Sequence, residues 1–236
     1  MSNNYDELPY TASKEDKKRI IKDWLGLFPS FHIKGTSNLF KRCDPFLIGI
    51  YLDYDRSNCD YVPTFFITNL VVSSYGTLSI GERCKEPIHS SEFWIKVLEH
   101  EKLFKEANTL LLANFETFLD ERPISLSVIM RAFRKCLKVG GYSETNVLKD
   151  LSYICGYFSK NDEVNQYVSA ATDIINAYND TAKRKVLSWD NVNSVQEWEA
   201  KIRNECSCPD LLHDRVSQRL TEAKFDKIPN VPLIVD

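Results

Sequence analysis

Four side chains between residues 53 and 85 have the types that hold a divalent cation against a phosphodiester. Asp53 and Asp55 close an apolar run over residues 46–54 and, two apart, fall on one face of a strand, because strand side chains alternate. Glu82 and Lys85 close a later run. Carboxylates so placed bind Mg²⁺, and a lysine stabilises the charge that develops on phosphate, so Asp53, Asp55, Glu82 and Lys85 spell a metal-dependent nuclease. Glu82 and Lys85 stand one residue further apart than in a Glu-x-Lys signature, and charged strand ends entering turns are ordinary. A second set, Cys206, Cys208 and His213 with Asp210 nearby, offers thiolates and an imidazole for zinc. Structural zinc sites pair cysteines across two residues, and here a fourth ligand would have to come from afar. His32, His89, His100 and His213 are isolated along the chain. Phosphate-binding glycine loops, a Gly-x-Ser-x-Gly elbow and a His-Glu-x-x-His motif are all missing, so neither nucleophilic catalysis nor a cofactor is expected.

Association has more support. Arg131, Arg134, Lys135 and Lys138 recur at helical spacing and make one cationic stripe, opposite the apolar face Ile129, Met130, Phe133 and Leu137. Such a stripe could dock an acidic partner or a phosphate backbone, or be a solvated face near a helix C-terminus, where the macrodipole favours cations. Lys183, Arg184 and Lys185 are candidates for the same surface. The stripe runs into Gly140-Gly141, a capping serine (Ser143) and Val147. Over about 16 residues this resembles the helix-turn-helix of bacterial repressors, which would imply DNA reading by residues 131–151. The segment departs from that pattern at Leu137, where a small residue is usual, and at Asp150, where an apolar one is. Glu144 and Asp150 would also repel phosphates. Aromatics crowd the first half (Phe46, Tyr51, Tyr54, Tyr61, Phe65, Phe66), which suits either a recognition face or a core buried on both sides of a sheet.

The elements that must position these groups follow from a change of period. Up to about residue 87 apolar residues alternate or run in short β-branched bursts; beyond it they recur at helical spacing. The spacing predicts a helix over 13–28 capped by Ser13, strands near 31–34, 39–43, 46–54, 61–73 and 77–82, then helices over 90–118, 123–139, 143–157, 162–185, 194–206 and 209–225, with an extended tail. Pro63 cannot donate to a ladder and predicts an edge or bulge. The expected fold is α+β: an N-terminal helix, an antiparallel meander of about five strands, and a C-terminal helical array. Residues 1–87 and 88–236 are the expected regions, sharing one core.

With 43% apolar and 27% charged residues and a net charge of −3, the composition is that of an ordinary globular protein. Residues 1–87 balance 11 basic against 11 acidic side chains, and the rest carries 19 against 22, so a nucleic-acid surface would have to be a local patch. No run approaches the roughly 20 apolar residues of a membrane helix. Seven scattered cysteines read as reduced thiols in a cytoplasmic protein. The reading that emerges is a non-catalytic accessory subunit that binds another protein within a complex, similar in scale and texture to small bacterial immunity or phage-defence components. A DNA-binding adaptor and a metal-dependent nuclease are its alternatives, and oligomeric state is left open.

Overall fold

The computed structural model describes residues 10–86, 91–137 and 144–236. Helix α1 (Lys14–Leu27) opens the described chain. Its N-cap, Ser13, accepts from the Asp16 amide while Asp16 reaches back to the Ser13 amide, a reciprocal capping box. Strands β1 (His32–Lys34), β2 (Asn38–Cys43), β3 (Phe46–Tyr54), β4 (Asp60–Asn69) and β5 (Ile80–Arg83) follow in a meander whose spatial order is the chain order. The fold class is therefore the α+β arrangement read from the sequence.

A sixth strand, β6 (Ile95–Lys96), was expected to be helix. It pairs antiparallel with β4, Asp60 facing Lys96 and Tyr61 facing Ile95, and only after a 3-10 turn does α2 (His100–Leu119) begin. The same segment explains Pro63, which lies inside β4 rather than on an edge. The Pro63 carbonyl accepts from the Cys84 amide, and the Cys84 carbonyl, which a donor at position 63 would have served, takes the Phe93 N–H at 2.8 Å instead. The missing donor leaves no orphan.

Strand β7 (Ile124–Ser125) precedes α3 (Leu126–Cys136), so Pro123 stands before a strand rather than in a first helical turn. Helices α4 (Glu144–Tyr157), α5 (Asn161–Ala177), α6 (Asp180–Trp189), α7 (Val195–Cys206) and α8 (Pro209–Ala223) complete the array, and β8 (Leu233–Ile234) lies parallel to β7. The single helix expected over 162–185 is two, because Asn179 turns its side chain onto the Ala182 amide and caps a new start.

The chain forms two compact units, each drawn from three separate stretches. The first takes residues up to Lys41, Ile48–Ile67 and Gly81–Arg122. Trp24 on α1 packs edge-on against Phe104 of α2, and Phe65 on β4 stacks on Phe115 at 4.2 Å. The second takes Arg42–Leu47, Thr68–Ile80 and Pro123–Asp236. Its centre is α4, which touches α3, α5, α7 and α8 and is buried at nine of the twelve positions from Thr145 to Gly156. Phe46, Tyr61, Phe65 and Phe66 are all buried, so these sheet aromatics form core and not a recognition face.

Candidate functional site

The nuclease set does not assemble. Asp53 is clamped by Arg83, whose other nitrogen holds Glu92 at 2.7 and 2.8 Å. Asp55 closes its own turn, accepting from the Cys59 amide at 2.9 Å, the Asp60 amide and the Ser57 hydroxyl, and these bonds hold its carboxyl below the usual range. Glu82 lies on β5 and Lys85 just beyond it, bridged through its backbone to Glu92. The zinc set is likewise dispersed. Cys206 is buried, its thiol pushed up to about 12 by burial and directed at the Ser152 carbonyl; Cys208 is exposed; the His213 ring stacks on Tyr157 at 4.0 Å. Among the described residues no three His, Cys, Asp or Glu side chains gather where one ion could be held.

The cationic stripe survives in part. Arg131, Arg134 and Lys135 are all exposed, and Arg134 also donates to the Tyr167 hydroxyl at 2.7 Å and meets Glu163. Lys138, Gly140, Gly141 and Ser143 lie outside the described residues. Helix α4, which the helix-turn-helix resemblance would make the recognition helix, is enclosed by its neighbours, and Glu144 is its exposed residue. Asp150 points inward: its Oδ1 accepts from the Asn69 amide nitrogen at 2.9 Å, and burial lifts its carboxyl to about 7. That inward turn is why the position can depart from an apolar residue.

One histidine that looks isolated in the sequence is not isolated in space. In the first unit Trp24 Nε1 donates to the Tyr61 hydroxyl at 3.3 Å, which lies 2.7 Å from His100 Nδ1, while His100 Nε2 faces Asp23 at 3.1 Å. The Asp23 carboxylate can only accept, so Nε2 carries the ring proton toward it and the neutral Nδ1 accepts from the Tyr61 hydroxyl. Burial lowers the His100 pKa and keeps the ring neutral, consistent with that tautomer. The order resembles a hydroxyl–imidazole–carboxylate relay, but Tyr61 is 0% exposed, so its oxygen meets no substrate and the relay fastens α1 and α2 to β4. No spacing rule would have linked residues 23, 61 and 100.

The second unit holds an open cleft of about 340 Å³. Helical periodicity supplies its walls in pairs: Lys149 and Tyr153 stand one turn apart on α4, and Lys201 and Glu205 one turn apart on α7. Arg215 enters from α8, Val72 from the chain beyond β4, and Trp189 with Asp190 from the end of α6. The corner after α6 is fixed by Asn191, whose φ of 54° puts it in the left-handed region, and by the Val192 amide closing onto the Leu187 carbonyl. Ser194 then caps α7.

Within the cleft the charges pair off. Asp190 takes Lys149 at 2.8 and 3.1 Å and the Trp198 indole N–H at 2.8 Å. Glu205 takes Arg215 at 2.6 Å and the Tyr153 hydroxyl at 3.0 Å. Lys201 instead donates to the Asp190 backbone carbonyl at 2.8 Å. At the lip Trp189 is 54% exposed, with the Lys185 ammonium 5.3 Å from its ring centre. In the sequence Lys183–Lys185 stand only as companions of the Arg131 stripe and nothing singles out Trp189; the residues that line this cleft are scattered from 72 to 215. Comparison of the chain with protein-family models, with curated proteins and with solved structures finds no match.

Proposed function

We propose that this protein is a non-catalytic binding subunit that joins a cytoplasmic complex by docking another protein at the α6–α7 cleft. The observation that carries the reading is Trp189: a large aromatic side chain, more than half exposed, at the lip of a cleft whose floor is locked by ion pairs. Exposed tryptophans beside preorganised polar groups are the residues that dominate protein interfaces, because they bury much area at little entropic cost. Chemistry has less to stand on. Of the acids nominated for metal, Asp53 is engaged by Arg83 and Asp55 by turn amides, and the buried relay of Tyr61 and His100 is closed to substrate. Among the described residues no helix is long and apolar enough to cross a membrane.

Affinity capture from host extract with the wild type, Trp189→Ala and Trp94→Ala, followed by mass spectrometry, tests this. A partner retained by the wild type and by Trp94→Ala, and recovered about tenfold or more weakly with Trp189→Ala, is the expected result. Equal recovery with Trp189→Ala, or no specific partner with any of the three, overturns the reading.

A further inference from the structure

We infer that the cleft recognises a carboxylate, presented by an acidic segment of the protein partner. The inference rests on the docking role just given and names its chemistry. Two of the three cleft cations are matched within the cleft: Lys149 by Asp190 and Arg215 by Glu205. Lys201 is left over. Its ammonium spends one donor on the Asp190 carbonyl, and among the described residues it has no acidic partner, so two N–H groups and a full charge face a site of net charge +1. Lys185 above Trp189 repeats the pattern at the lip, a second cation that no described carboxylate neutralises.

A positive remainder of this kind in a chain of net charge −3 is a local inversion, and it selects an anion. The walls select which kind. Val72 is the sole aliphatic lining residue and the other side chains are charged or aromatic, so a compact apolar ligand would find little surface to bury. A Glu or Asp side chain needs only the Lys201 donors. The backbone and neighbouring methylenes that carry it can lie on Trp189, which is more than half exposed. Two such acids, spaced to reach Lys201 and Lys185 together, would gain the same charge-assisted bond twice.

The test uses the whole protein labelled with ¹⁵N, titrated with capped tetraglutamate, capped tetraglutamine and inorganic phosphate at equal ionic strength. Tetraglutamate should shift the Trp189 indole resonance saturably, and tetraglutamine should leave it in place. Lys201→Gln keeps a donor for the Asp190 carbonyl but drops the charge, and should raise the tetraglutamate Kd about tenfold. A spectrum that overlays the wild type away from the cleft confirms that this variant is folded; if it does not overlay, Lys201→Arg and Lys185→Gln are read instead, with unchanged and raised Kd expected. Equal shifts with tetraglutamine, an unchanged Kd on loss of charge, or phosphate binding as tightly as tetraglutamate each overturn the carboxylate assignment. If these fail while Trp189→Ala still abolishes partner capture, the docking site stands and only its acidic specificity falls.

Discussion

Asp150 combines an ionisable group with a buried position, and its contribution to stability has a definite sign. Burial raises its pKa to about 7, far above that of an unfolded carboxyl, with the Asn69 amide and Lys149 opposing the rise. Between pH 4 and 7 the folded state therefore holds a proton that the unfolded state has released. Stability from this group is fully present below about pH 4, declines as pH climbs to 7, and is flat beyond. Asp150→Asn keeps an oxygen for the Asn69 amide and removes the titration. Denaturant melts should find it more stable than the wild type at pH 8 by about 2–4 kcal/mol, with the gap closing toward pH 4. A gap that is constant with pH would mean that Asp150 is ionised in the fold. Its enclosure could not be read from the sequence, where Asp150 stands only as a charge that would repel phosphates.

At the scale of elements, α4 and α7 approach each other closely where Gly156 faces Cys206. A Cβ on Gly156 would sit 2.8 Å from Cys206 Cβ and 2.9 Å from its Cα, groups that cannot swing aside. Gly156→Ala would gain helix propensity of about 1 kcal/mol and lose more by forcing the helices apart. A net loss of about 1–3 kcal/mol in urea unfolding is expected, and a gain would mean that the two helices part freely. Elements built by local signals were legible in advance. Ser13 and Asp16 marked α1, the run over 46–54 coincided with β3, and Pro209 opened α8. Those set by distant partners were not. Phe93 to Leu98 carries a helical pattern, yet β4 captures the backbone at Ile95 and Lys96. The cleft was hidden for the same reason: Lys149, Lys201 and Arg215 meet only after α4, α7 and α8 pack, and each alone looks like a solvated cation.

The two units are interleaved along the chain, so a cut near residue 87, where the period changes, follows neither. Residues 88–236 alone lack two stretches on which the second unit depends. Arg42 donates to the carbonyls of Asp226 and Ile228, Arg215 and Arg219 donate to those of Val71 and Leu70, and Asn69 holds Asp150. Removing these partners leaves polar groups, most of them part-buried, without those bonds, at a cost of about 1 kcal/mol each. A fragment of residues 88–236 should therefore give a broad, non-cooperative thermal transition by circular dichroism, whereas the whole chain gives a sharp one. A sharp transition in the fragment would mean that these bonds are dispensable.

The same interleaving constrains how the molecule comes into being on the ribosome. Arg42–Leu47 and Thr68–Ile80 emerge early, but the helices that satisfy Arg42, Asn69 and the carbonyls of Leu70 and Val71 are synthesised last. For the seconds that translation of Pro123–Asp236 takes, those groups must remain hydrated while the first unit, whose residues are all present by Arg122, is already free to close. Nascent chains arrested shortly after that point should thus hold a folded first unit alongside two unclaimed stretches, the moment at which a chaperone has most to grip.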